Sequence, residues 1–148
     1  MIIAVDFDGT IVESDYPRIG KPIPFAFDVL LRLQREGRHR LILWTVRDGE
    51  LLQEAVEYCA RGGLEFYAVN QNFPNEPEGS PRKLNADLFI DDRNLGGMYG
   101  WSRIYQMIAS GRPLSLPESN FGTRPAVSSS RKKNFFIRLG EAMDKAQR

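Results

Sequence analysis

The segment MIIAVDFDGTIV at positions 1–12 decides the fold that this chain is expected to adopt. Its apolar residues 2–5 predict a short strand buried on both faces of a parallel sheet. Asp6 and Asp8 follow two positions apart on extended chain, so their side chains leave on the same side, and Gly9 allows a turn beside them. Two carboxylates held this close repel each other unless a cation or a phosphoryl group lies between them.

Apolar strands and amphipathic helices are expected to alternate after this segment. Strands are predicted at residues 41–44, 66–69 and 88–90, and helices from Phe25 to Gly37 and from Asp48, as N-cap, to Gly62. Residues 13–24 hold three prolines and are expected to form a loop. The alternation predicts an α/β fold with a three-layer, doubly wound (Rossmann-like) parallel sheet.

Polar residues lie where three of these strands are predicted to end. Asp6 follows the first strand, Thr45 the second, and Asp91 with Asp92 the fourth. Ligands of open parallel sheets bind in the crevice outside the carboxyl ends of the strands. These side chains are therefore expected to converge on one site, although polar residues also end strands that have no function.

Four short motifs resemble those of the haloacid dehalogenase (HAD) superfamily. Members of this superfamily are magnesium-dependent phosphohydrolases that work through an aspartyl phosphate. DFDGT at positions 6–10 is similar to the first motif and Thr45 in LILWT to the second. Lys83 is similar to the third motif, and the acidic pair Asp91 and Asp92 in LFIDD to the fourth. The order of these residues differs from that in response-regulator receivers, where the phosphorylated aspartate ends a middle strand and the lysine comes last. In this chain the candidate nucleophile comes first and the acidic pair comes last.

The resemblance implies a catalytic role for four residues. Asp6 would be the nucleophile, and Asp8 would protonate the departing alkoxide and then take a proton from the attacking water. Thr45 would hold a phosphate oxygen, and Lys83 would offset the negative charge of the phosphate. It also places a mobile flap within residues 13–24.

A Mg²⁺ cofactor is implied as well. Its ligands would be Asp6, the backbone carbonyl of Asp8, and Asp91. Asp92 would orient Lys83 or a metal-bound water, but which of the two adjacent aspartates contacts the metal stays open.

The spacing of the motifs limits the substrate. Residues 11–44 and 46–82 are mostly used by one helix, one strand and loops each, so no cap domain is expected. An open site suits a small phosphometabolite such as a sugar phosphate, with a second copy of the chain as cover, or a phosphorylated macromolecule. Arg47, Arg82 and Arg93 lie beside motif positions and are candidate substrate contacts, although exposed arginines are common. A phosphotransferase using the same aspartyl phosphate and a non-catalytic binding module are the alternatives to a phosphatase.

Composition sets the remaining expectations. The 148 residues carry a net charge of +1, which argues against nucleic acid as a partner. Residues 1–111 form the expected catalytic domain, whereas residues 112–148 form a basic tail with 8 basic and 3 acidic side chains. Phe136, Leu139 and Met143 have helical spacing in this tail. The sequence has one cysteine, and neither a leader nor a membrane span is recognised in it. Together these features predict a cytoplasmic protein that binds no membrane.

Overall fold

The computed structural model of the chain describes residues 1–111. The predicted basic tail and the helix expected around Phe136, Leu139 and Met143 lie outside the described residues. Among residues 1–111, no helix has the length and apolar character needed to cross a membrane.

The described residues form an α/β fold built on one parallel sheet. In chain order the elements are β1 (Ile2–Val5), α1 (Ala26–Arg35), β2 (Arg40–Leu43), α2 (Gly49–Arg61), β3 (Ala68–Val69), β4 (Leu88–Ile90) and α3 (Trp101–Ala109). The strands lie in the order β3-β2-β1-β4, and all neighbours are parallel. The predicted α/β class and parallel sheet are therefore confirmed.

The three helices pack on one face of the sheet. Side chains that alternate along β1 and β2 point to this face and form the larger core with buried residues of all three helices, among them Leu30, Cys59 and Ile104. The opposite face carries a smaller cluster around Ala4 and Ile42. Its cover includes Leu84, which lies in the irregular connection between β3 and β4. Within residues 1–111, the third layer of the predicted arrangement is thus a loop segment and contains no helix.

The helices begin and end close to the predicted positions, and one was not expected. Asp48 caps α2, since its carboxylate accepts the backbone N–H of Gly49 over 2.8 Å. Helix α1 buries the predicted apolar stripe against the sheet. Helix α3 is not among the predicted elements, and it packs beside α1 through the buried side chains of Trp101, Ile104 and Ile108.

Candidate active site

Three aspartates from two distant segments meet at the carboxyl edge of the sheet. Asp6 follows β1, and Asp91 and Asp92 follow β4. One carboxylate oxygen from each lies within 4.8 Å of the other two. Parallel pairing explains the proximity, because Val5 lies opposite Ile90 and the two strands end at the same level. The structure thus brings together three of the four aspartates expected at the metal.

Thr10 connects the two halves of this cluster. Its side-chain hydroxyl donates to Oδ2 of Asp6 over 3.3 Å and accepts the backbone N–H of Asp92 over 3.1 Å. Its backbone carbonyl accepts the indole N–H of Trp101 over 3.0 Å. Thr10 is fully buried, and the two partly buried hydrogen bonds of its hydroxyl hold the ends of β1 and β4 together.

The surroundings of Asp6 make its ionised form unfavourable. Burial raises the pKa of Asp6 to about 6, and the charges of Asp91 and Asp92 add to this rise. Hydrogen bonds from the backbone of Phe7 and from the Thr10 hydroxyl oppose it. A carboxylate in this position therefore gains from a nearby positive charge.

One oxygen of the cluster has no hydrogen-bond partner within residues 1–111. This atom, Oδ1 of Asp92, is buried and reached by no donor of the described chain. A buried carboxylate oxygen without a partner is costly, because it has lost its hydration without gaining another interaction. A cation bound among Asp6, Asp91 and Asp92 would offset the negative charge of this carboxylate. A donor set made only of carboxylate oxygens fits a hard divalent cation.

Gly9 makes room for the carboxylate of Asp92. The backbone at Gly9 has φ +92°, a conformation that L side chains rarely adopt. A Cβ atom at this position would overlap Oδ2 of Asp92. Both the turn and the close approach therefore require glycine.

Asp8 lies outside the aspartate cluster and forms a buried ion pair with Arg47. Nε–H of Arg47 donates to Oδ2 of Asp8 over 2.7 Å, and Nη2–H donates to Oδ1 over 2.7 Å. Asp8 is 8% exposed and Arg47 is 1% exposed. Both carboxylate oxygens of the expected general acid are thus engaged by one guanidinium, in the bidentate geometry of a strong charge-assisted pair.

Arg47 also anchors the loop that follows β1. Its Nη1–H donates to the carbonyl of Pro17 over 2.9 Å, and its Nη2–H donates to the carbonyl of Arg18 over 2.8 Å. The guanidinium carbon lies 5.4 Å from the ring centroid of Tyr16. Arg47 is a predicted substrate contact, but in the structure its donors are committed to Asp8 and to this loop. These buried interactions within the chain, and not contact with a ligand, account for the position of the Arg47 side chain.

Thr45 is held at the end of β2 by Asn70, which directly follows β3. The backbone N–H of Thr45 donates to Oδ1 of Asn70 over 2.9 Å. The Thr45 hydroxyl oxygen accepts the backbone N–H of Arg47 over 3.3 Å. No acceptor for the Thr45 hydroxyl proton lies among residues 1–111, so this group can donate to a ligand.

No family model matches the chain, and no curated protein sequence does. A solved structure matches: that of a conserved protein coded by a locus from Bacteroides thetaiotaomicron. The two sequences are 60% identical, the match covers 76% of this chain and 93% of the other, and the TM-score is 0.72. The chain belongs to the family of this conserved protein. Membership of this family means that the two proteins share a fold. It assigns no particular reaction to either of them.

The other residues that were predicted to belong to the site lie on the surface of this family member. Lys83, Arg82 and Arg93 are exposed. Within the described chain no carboxylate lies within 4.0 Å of the Lys83 ammonium, so the expected contact between Lys83 and Asp92 is not formed. Arg93 contributes its backbone instead, because its N–H donates to Oδ1 of Asp91 over 2.7 Å.

Two positioning residues of the family fold were not predicted. Thr10 lies inside the DFDGT string and directly precedes the apolar residues Ile11 and Val12. This apolar neighbourhood was the available sign that the Thr10 hydroxyl is buried. Asn70 ends a strand of only two residues and has φ 51°. Asparagine tolerates this left-handed conformation better than most residues, which is a signal for a turn and not for a site.

Proposed function

We propose that the chain is a Mg²⁺-dependent phosphomonoester hydrolase of the HAD type, without a cap domain, that acts through an aspartyl phosphate on Asp6. The observation that carries the proposal is the convergence of Asp6, Asp91 and Asp92, whose carboxylates lie within reach of one cation while a buried oxygen of Asp92 lacks a partner. The DFDGT string that places Asp6 at the end of β1 supports the same assignment.

Mg²⁺ would be held by Asp6, Asp91 and Asp92, together with the backbone carbonyl of Asp8. When bound, it supplies the positive charge that offsets the repulsion between carboxylates and phosphate. In this role Asp92 is a ligand in its own right, because its buried Oδ1 has no other partner within residues 1–111.

The first step is attack on phosphorus by a carboxylate oxygen of Asp6. A bond forms between this oxygen and phosphorus, and the bond to the leaving group breaks with its electron pair going to the leaving oxygen. Thr45 donates its hydroxyl proton to a non-bridging phosphate oxygen. Lys83 has no carboxylate partner among the described residues and is available to pair with the phosphate dianion.

The second step is hydrolysis of the aspartyl phosphate. Water attacks phosphorus, its proton passes to Asp8, and the electron pair of the broken bond returns to Asp6. Asp8 can act as this base because each oxygen has a second lone pair beyond the one that accepts from Arg47. The proton that Asp8 takes in this step is the one that it gives to the leaving oxygen in the first step of the next turnover.

The substrate is a small phosphorylated molecule that enters an open site. The described connections between strands contain loops and the helices α1 and α2, which supports an open site without a cap domain. A second copy of the chain could cover the site.

The test is phosphate release from a panel of phosphorylated metabolites and aryl phosphates, with Mg²⁺ or EDTA and with added alcohols as acceptors. Asp6→Asn should lower turnover by roughly 10⁴-fold or more, because the amide keeps the shape but is not a nucleophile. Asp28→Asn, on the exposed side of α1, is the matched control and should retain full activity.

Each alternative predicts its own result. Transfer of phosphate to the alcohol in preference to water would identify a phosphotransferase. Mg²⁺ binding without turnover of any substrate would identify a binding module. Retention of activity by Asp6→Asn would place the nucleophile elsewhere.

A further inference from the structure

We infer that Arg47 is a positioning residue, which fixes the carboxylate of Asp8 for its acid–base role and ties it to the loop at residues 13–24. This inference rests on the proposed function, because it concerns the acid–base group of that reaction. It differs from the role that the sequence predicts for Arg47, which is contact with the substrate.

Four of the five N–H groups of the Arg47 guanidinium have acceptors within the protein. Two donate to the two oxygens of Asp8, each over 2.7 Å. Two donate to the carbonyls of Pro17 and Arg18, over 2.9 Å and 2.8 Å. The guanidinium carbon also lies 5.1 Å from the ring centroid of Phe7. Rotation of this side chain would break several strong interactions at once, so Arg47 gives Asp8 a fixed partner.

The loop at residues 13–24 is attached at its base and at its tip. At the base, the backbone N–H of Glu13 donates to the carbonyl of Lys21 over 2.7 Å. The tip, residues 15–18, is attached by the two carbonyls that accept from Arg47. The tip is exposed, whereas Arg47 is 1% exposed, so the tip covers the guanidinium. The position of the loop and the position of Asp8 are therefore set by the same side chain.

The backbone of Arg47 reaches a third part of the site. Its N–H donates to the hydroxyl oxygen of Thr45, the proposed phosphate contact, over 3.3 Å. A group that transfers protons must lie within hydrogen-bond distance of the reacting oxygen, so a residue that fixes Asp8 controls the rate without touching the substrate. Lysine could not replace Arg47 in this role, because it lacks the planar fork that binds both oxygens of a carboxylate.

The first experiment follows turnover of p-nitrophenyl phosphate by the wild type and by Arg47→Lys, with Mg²⁺. Nitrophenolate is a weak base and leaves without a proton, whereas the second step still needs Asp8 to take the proton of water. We expect kcat to fall about 10²-fold, the usual effect of a misplaced catalytic group, and kcat/KM to stay near the wild-type value. A burst of nitrophenolate that matches the enzyme concentration should precede the steady state.

A double substitution separates positioning from a purely structural role. If Arg47 acts through Asp8, Arg47→Lys should not lower kcat further in an Asp8→Asn protein, because the group that it positions is gone. Loss of kcat by the same factor with and without Asp8 would overturn the inference. Arg32→Lys is the matched control and should keep the wild-type kcat, since Arg32 also donates to a carboxylate, that of Glu36, but on the exposed side of α1.

Trypsin provides a test that needs no change at Arg47. It cleaves after arginine, and the carbonyl of Arg18 is one of the two that Arg47 binds. Asp8→Asn keeps the size of the side chain but removes the charge that holds Arg47. Cleavage after Arg18, identified by mass spectrometry, should then be about tenfold faster, because the loop opens more often. Asp28→Asn should not change the rate. An unchanged rate in Asp8→Asn would overturn the inference even if Arg47→Lys did not fold.

The outcomes separate this inference from the proposed function. Turnover by the wild type, with the same kcat for Arg47→Lys, would overturn the inference and leave the hydrolase intact. No turnover of p-nitrophenyl phosphate or of any other ester by the wild type would overturn both.

Discussion

The hydroxyl of Thr10 accepts the backbone N–H of Asp92 over 3.1 Å, across 82 positions of sequence. The same hydroxyl donates to Asp6. A single buried oxygen atom therefore sets the distance between the proposed nucleophile and the acidic end of β4. Alignment of the site depends on this side chain as much as on the strands.

Replacement of Thr10 by valine should show this dependence. The isosteric change leaves the partly buried N–H of Asp92 without its partner and removes the donor to Asp6, which should cost about 1 to 3 kcal/mol of unfolding free energy. Activity should fall further than stability alone explains, because Asp6 loses its orientation. Denaturant unfolding and kcat measured in the folded range test both. Ser110→Ala, which removes an exposed side-chain hydrogen bond at the end of α3, is the control.

Substitution of Gly9 by alanine should destroy the metal site. Both Gly9 and Gly79 have a positive φ, so alanine at either position should cost about 1 to 2 kcal/mol. Only at Gly9 would the added Cβ displace the carboxylate of Asp92, since nothing lies within 4 Å at Gly79. Isothermal titration with Mg²⁺ should therefore detect binding to Gly79→Ala and none to Gly9→Ala. Equal binding by both variants would contradict the proposed position of Asp92 at the metal.

Removal of a metal ligand should abolish the stabilisation by Mg²⁺. A ligand at ten times its Kd stabilises the folded state by roughly 1.4 kcal/mol, so the wild-type melting temperature should rise with Mg²⁺ relative to EDTA. Asp92→Asn should lose this rise and melt higher than the wild type in EDTA, because repulsion with Asp6 is relieved. Asp91→Asn should lose the rise too, whereas Asp28→Asn should keep it. If the melting temperature of Asp92→Asn still rises fully with Mg²⁺, Asp91 is the metal ligand that follows β4, and Asp92 does not contact the ion directly.

The raised pKa of Asp6 gives a pH dependence with a defined sign. Its ordinary value is 3.8, and in the folded protein the pKa is about 6, so between these values the folded state holds a proton that the unfolded state has lost. The contribution of Asp6 to metal-free stability should therefore fall as the pH rises from about 4 to about 6. The difference in unfolding free energy between wild type and Asp6→Asn in EDTA isolates this contribution.

Mg²⁺ binding should follow the opposite course. Protonated Asp6 is a poor ligand, so the affinity for Mg²⁺ should weaken by up to about tenfold per pH unit below pH 6. Calorimetric titrations at several pH values measure this slope. An affinity independent of pH between 5 and 7 would show that Asp6 does not contact the ion.

The sequence by itself determined the frame of the site. Strands β1 and β4 have the predicted bounds, because short apolar runs ended by carboxylates can satisfy burial and hydrogen bonding in few other ways. Once the strands are parallel, Asp6 and Asp91 must emerge at the same edge. Strand β3 is shorter than predicted because it pairs with β2 only at Ala68 and Val69. Helix α3 was not expected, and the side chains that it buries in the core stabilise it.

Only the tertiary structure decided which partner each polar side chain takes. Asp8 and Arg47 lie 39 positions apart, and both were expected to face a substrate, yet they pair with each other beneath the loop after β1. Likewise, nothing local connects Thr10 to Asp92. Periodicity predicts which edge or face a side chain occupies, whereas a hydrogen bond requires two atoms within about 3 Å of each other. That precision depends on loop paths and side-chain rotamers, which are set only when the whole chain packs.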